Sequence, residues 1–118
     1  MRHGHYQSDG SLTQEGIEQV SKAAEAFKDQ NLVIYSSPVT RCMETAAILK
    51  NAVVESELYQ ISWLGKYHML PKNCLSLLQG ETIILVSHQP TLYRIIDQMG
   101  ANADNFSFSY GLPVKLVF

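Results

Sequence analysis

The chain opens Met1-Arg2-His3-Gly4, and far downstream an apolar run ends in Val86-Ser87-His88-Gln89-Pro90. Each histidine stands where regular structure should give way to a loop. Together with Arg2 and Arg41 they make a set suited to phosphoryl chemistry. A neutral imidazole is a nucleophile, and a guanidinium presents a fixed fork of donors that matches phosphate oxygens. In Ser36-Ser37-Pro38-Val39-Thr40-Arg41 the arginine falls on the first turn of a helix, where it can reach back over the end of the preceding strand. In open α/β sheets ligands bind at the carboxyl ends of the strands, and all three segments are expected at such ends.

The elements that must position these residues can be read from periodicity. Ile17, Val20, Ala23, Ala24 and Phe27 recur at helical spacing, which predicts a helix over residues 13–28 with Thr13 as its N-cap. Leu32-Val33-Ile34-Tyr35 reads as a strand buried on both faces, and residues 39–51 as a second helix. Val53 and Val54 suggest a brief edge strand. Residues 55–79 are apolar in places but irregular, with Pro71 a candidate start for a helix through Leu78. Residues 82–86 form the clearest strand, followed by a helix over 90–99 ended by Gly100. Phe106, Phe108 and Tyr110 alternate with serines, which predicts a terminal hairpin turning at Gly111-Leu112-Pro113 and returning over 114–118. This alternation implies an α/β fold, a three-layer α/β/α sandwich on a mainly parallel sheet.

Composition narrows the rest. A chain of 118 residues is expected to form one domain, and 46% apolar with 17% charged residues is a globular balance. A formal net charge of -2 argues against broad binding to nucleic acid or to an anionic membrane, so any positive site must be local. No apolar run is long enough to span a bilayer and the first residues do not read as a signal peptide, so a cytoplasmic location is expected. Cys42 and Cys74 lack metal-type spacing and read as reduced thiols. His3, His5, His68 and His88 come with no carboxylate pattern, so neither metal nor cofactor is expected.

Arg2-His3-Gly4, Leu12-Thr13-Gln14-Glu15-Gly16, the run from Ser36 to Ala46 and Val86-Ser87-His88, in that order, resemble the histidine phosphatase superfamily, also called phosphoglycerate-mutase-like. The resemblance covers nearly the whole chain. It implies that His3 is the nucleophile and becomes phosphohistidine before water discharges it. It also implies that Arg2, Arg41 and His88 surround the phosphoryl oxygens without a metal. Gly4 and Gln89 are expected substrate contacts. A backbone carbonyl is expected to hold the other ring nitrogen of His3.

The chain departs from that pattern in two ways. Larger members carry a glutamate that protonates the leaving oxygen, where this chain has Glu57-Leu58-Tyr59-Gln60, and they carry a long lid insertion that this chain lacks. Both features resemble the small SixA-like phosphohistidine phosphatases, which implies a phosphorylated protein histidine as substrate. A small phosphate ester is the alternative, with Glu55, Glu57 or His68 as acid; a phosphate-binding module without turnover is a third reading. The family also runs an apolar strand into the RHG triplet, beside the strand ending at His88. Here only Met1 precedes Arg2, so another segment, a partner chain or preceding residues would have to hold His3.

Overall fold

The computed structural model describes residues 1–116. Three strands, β1 (Leu32–Ser36), β2 (Ser56–Gln60) and β3 (Thr82–Val86), form a parallel sheet in the order β2-β1-β3. Leu32 pairs with Ser56 on one side and Thr82 on the other, so the strands end level at Ser36, Gln60 and Val86. Helices α1 (Gln14–Ala24) and α2 (Thr40–Ala52) pack on one face of the sheet and α3 (Gln89–Gln98) on the other, which gives the three-layer sandwich.

Alternation along the strands divides the core. Leu32, Ile34, Ile84 and Val86 meet Val20 and Ala24 of α1 and Ala46 and Leu49 of α2. Tyr35 and Leu85 point the other way, toward Ile95 of α3 and toward Leu64 and Cys74. Burial of β1 on both faces, expected from its apolar run, is therefore incomplete. The second face is covered only near the strand ends, and Val33, Glu57 and Tyr59 line an open cleft of about 320 Å³.

Several local expectations are corrected. The predicted 13–28 helix ends as an α-helix at Ala24 and continues as a 3-10 turn over Glu25–Phe27. The edge strand is Ser56–Gln60 rather than residues 53–54: Val53 closes α2 and is buried in the core, while Val54 is 91% exposed. The helix expected from Pro71 is only a 3-10 turn, Cys74–Leu77, entered through Asn73 in a left-handed conformation that an α-helix cannot continue. No terminal hairpin forms among the described residues. Phe106 and Phe108 instead pack on Leu92 and Ile96 of α3, and burying those rings competes with pairing the backbone. Residues 117 and 118 of the expected returning strand lie outside the described residues.

The first residues take the place at β3 where a strand was expected. Arg2 forms a parallel bridge with Ser87, the Met1 nitrogen donates to the Leu85 carbonyl at 2.7 Å, Ser87 N donates to Met1 O at 3.0 Å, and His3 N donates to Ser87 O at 3.2 Å. From the other side, Gly111 N donates to the carbonyls of Arg2 and His3 at 3.2 and 3.0 Å. The backbone carrying His3 is thus tied on both edges.

The N-terminus of α1 braces the next residues. Thr13 caps it, its hydroxyl accepting from Gly16 N at 3.0 Å, and Gly16 packs directly on the His5 backbone. A Cβ at Gly16 would overlap the His5 carbonyl, which the hydrogen bond from Thr13 N fixes in place. Alanine adds about 1 kcal/mol of helix propensity, but overlap with a fixed backbone costs more. Gly16→Ala should therefore lose roughly 1–2 kcal/mol of stability in denaturant unfolding; an unchanged midpoint would show that this contact is slack.

Candidate functional site

Level strand ends bring the loops after β1 and β3 to one edge of the sheet, with α2 and α3 starting there. Arg41 lies in the first turn of α2, and His88 is the residue immediately before α3. The hydrogen bond from His3 N to Ser87 O brings the first loop to the same edge. His3, Arg41 and His88 are in mutual contact, with the two imidazole centroids 5.5 Å apart.

His3 is 3% exposed. Its Nδ1 lies 2.9 Å from the Gly4 carbonyl, an acceptor only, so the ring proton belongs on Nδ1 and Nε2 is left bare. Arg41 Nε donates to that Nε2 at 3.3 Å. Gly4 N donates to Thr45 Oγ1 at 3.0 Å, and Thr45 Oγ1 donates to the Arg41 carbonyl at 2.8 Å, which links the first loop to the turn that carries Arg41.

His88 is 2% exposed. Its Nε2 lies 3.0 Å from Ser37 Oγ and 3.7 Å from Cys42 Sγ, and its Nδ1 lies 3.5 Å from an Arg41 terminal nitrogen. A guanidinium can only donate, so Nδ1 accepts from Arg41 and the ring proton belongs on Nε2, which donates to the Ser37 hydroxyl. Burial pushes both histidines down to about 4; the cations Arg41, Arg2 and Lys66 add to this, while the Gly4 hydrogen bond opposes it at His3. Both imidazoles are therefore neutral near pH 7. Burial pushes the Cys42 thiol up to about 12, so it is not a thiolate and has no nucleophilic use here.

Aromatic rings steady both arginines. The Arg2 guanidinium lies 3.8 Å from the Tyr110 ring centre and Arg41 lies 4.4 Å from that of Tyr6. The Tyr6 and Tyr110 rings also flank His3, at 5.2 and 5.7 Å between centroids. Arg2 reaches the Phe108 carbonyl only at 3.4 Å, and its Nε is buried with no partner among the described residues. A buried cationic donor left unpaired is costly, and an anion's oxygen would satisfy it.

A cavity of about 430 Å³ opens at this edge, walled by Arg41, His88, Val39, Lys66, Tyr67 and His68 among others. His3 lies behind Arg41, one hydrogen bond from that wall. Gly4 sits behind His3, packed on Val20 and Gly16, with its N–H taken by Thr45. Gln89, the first residue of α3, is half-buried and is not part of the cavity wall. Sequence reasoning missed Tyr6, Ser37, Thr45, Lys66 and Tyr110. Thr45, four residues after Arg41 on one helix face, was within reach of spacing arguments. Among the described residues no three His, Cys, Asp or Glu side chains converge as metal ligands, and no helix is long and apolar enough to cross a membrane.

Comparison with known proteins identifies the family and the fold. The family model for the histidine phosphatase superfamily (branch 1) matches residues 2–72, more than half of the chain. Among solved structures, a phosphoserine phosphatase from Entamoeba histolytica bound to 3-phosphoglyceric acid is 19% identical, with TM-score 0.69 over 93% of this chain and 84% of that one. A candidate phosphohistidine phosphatase SixA from Agrobacterium tumefaciens is 22% identical, with TM-score 0.68 over 86% and 72% of the two chains. The protein histidine phosphatase SixA complexed with tungstate is 20% identical, with TM-score 0.68 over 81% and 71%. At these identities the structures speak for the fold; no curated protein matches the sequence. By its family match and by its fold, the chain belongs to the histidine phosphatase superfamily.

Proposed function

We propose that this chain is a phosphatase that works through phosphohistidine at His3 and takes its phosphoryl group from a phosphohistidine of another protein. The observation that carries the reading is the state of His3: buried, neutral, its proton committed to Gly4, and its bare Nε2 held against a guanidinium. Nε2 attacks phosphorus in line, the bond from phosphorus to the substrate's nitrogen breaks, and that nitrogen takes a proton from solvent. Water then attacks the phosphohistidine, orthophosphate leaves, and His3 returns to its neutral form. Arg41 shifts from Nε2 to the phosphoryl oxygens as substrate enters. Arg2 and His88 meet the remaining charge, His88 through Nδ1 once Arg41 has moved off it and the Ser37 hydroxyl has turned to donate to Nε2. The scheme draws on no metal.

The substrate class rests on the missing acid. An alkoxide leaves poorly without a proton donor, whereas the nitrogen of a phosphoramidate is readily protonated from water. None of the residues walling the cavity is Asp or Glu. Glu57 lies on the open sheet face, accepting from the Tyr59 hydroxyl at 3.0 Å, and Glu55 precedes β2 at the opposite end of the sheet. An open site is also wide enough for a side chain presented by a folded protein. One observation favours the second reading, a small-molecule phosphomonoesterase: His68 walls the same cavity as His88, where an imidazole could protonate a leaving oxygen.

The two readings separate on substrates. A phosphohistidine protein should be turned over faster than 3-phosphoglycerate, and His68→Ala should leave the first rate within about threefold while reducing any activity on an alkyl phosphate by roughly 100-fold. Faster turnover of the sugar acid would contradict the main reading.

The pH dependence follows from the same burial. His3 and His88 titrate near 4 when folded against an ordinary value of 6.5, so between these values the unfolded chain binds more protons. Their contribution to stability is complete above pH 6.5 and declines as pH falls toward 4. Thermal unfolding of the wild type should lose midpoint over that window faster than His3→Gln or His88→Gln does; parallel curves would show that the imidazoles are not held neutral.

A further inference from the structure

We infer that Lys66 is a specificity-determining residue of this site, favouring substrates with negative charge beside the phosphoryl group, and that Arg94 is the positioning residue that holds it there. The inference rests on the phosphatase reading for its substrate, while its geometry stands apart from it. Lys66 walls the cavity with Arg41 and His88, although it comes from the irregular stretch after β2. What keeps that stretch in place is a set of carbonyl contacts. Arg94 of α3 donates to Lys66 O and to His68 O, both at 3.0 Å, and to Thr91 Oγ1 at 3.2 Å. Thr91 Oγ1 donates to Gly65 O at 3.0 Å, and Ser87 Oγ donates to Leu64 O. Carbonyls at 64, 65, 66 and 68 are thus fastened to the end of β3 and the first turns of α3, the part of the chain that carries His88.

Charge gives this loop a purpose. Lys66 makes no ion pair; among the described residues the only one is Lys28 with Glu25. It is a second cation, with Arg41, on a wall that carries no carboxylate, while Arg2 lies outside that wall and acts on the same imidazoles. Its field reaches both imidazoles, where it opposes protonation. Arg2, Arg41 and Lys66, none of them ion-paired among the described residues, surround the two buried histidines and repel each other, and an anion removes that repulsion. Two of them sit against the buried histidines, whereas Lys66 is exposed at the rim, so it acts on what surrounds the phosphoryl group. A guanidinium suits the clamp because its fork reaches two carbonyls at once, which an ammonium on a flexible stem cannot reproduce.

The test uses the whole chain with two readouts: affinity for inorganic phosphate by calorimetry, and kcat/KM on two phosphohistidine peptides, one flanked by glutamates and one by glutamines. Lys66→Ala should weaken phosphate binding roughly three- to tenfold and remove most of the preference for the acidic peptide, chiefly through KM. Arg94→Ala and Arg94→Lys should reproduce that loss, with circular dichroism confirming that both fold. The Lys66→Ala/Arg94→Ala double variant should be no worse than Lys66→Ala alone, because the arginine acts through the lysine. Additive losses, rescue by Arg94→Lys, or unchanged affinity in Lys66→Ala would overturn the inference while leaving the phosphatase reading intact. Coupled losses of phosphate affinity without any turnover by the wild type would instead uphold the inference and contradict the phosphatase reading.

Discussion

The backbone hydrogen bonds between residues 1–3 and the end of β3 are the constraint on which the site depends. They tie the nitrogen of His3 to Ser87, and Gly111 closes the other edge. Because Ser87 directly precedes His88, one short stretch of chain sets the separation of the two imidazoles. A shift of one residue in that pairing would turn His3 to the opposite side, so the register matters more than the strength of any single bond.

From that anchor the remaining interactions follow in order. The Gly4 carbonyl accepts from His3 while the Gly4 N–H donates to Thr45, and Thr45 in turn donates to the carbonyl of Arg41. Glu44, one residue earlier on α2, accepts from Leu12 N and binds the same helix to the loop before α1. The nucleophile proposed here and the guanidinium beside it are therefore positioned through the same helix turn. Neutral histidines are a consequence of this packing: both are almost wholly removed from water among cations, where a protonated ring would be unfavourable.

What could be read from the sequence is what local chemistry determines. β3 was legible as Thr82 to Val86 because its apolar run is bounded by polar residues, and the start of α1 because a threonine cap precedes a helical period. His88 and Arg41 were legible because each sits where a strand end gives way to a helix, and His3 because of the triplet Arg2-His3-Gly4. The C-terminal segment was misread because alternation of Phe106 and Phe108 with serine is shared by a strand and by an irregular segment laid against α3. Nothing local shows that Gly111 bonds Arg2 and His3 and so places Tyr110 over the arginine. The loop at residues 65–68 was equally opaque: its order comes from Arg94 and Thr91, more than twenty residues away, through backbone carbonyls that carry no sequence signal.

The central claim is that Nε2 of His3 carries the phosphoryl group, since Nδ1 is committed to Gly4. The most direct measurement is phosphorus NMR on protein mixed with a phosphoryl donor and quenched in alkali, with peptide mapping of the label. The account predicts one acid-labile phosphate, on Nε2 of His3, absent from His3→Ala and retained in His5→Ala. Phosphate on Nδ1, on another residue, or on no residue while turnover continues would contradict it.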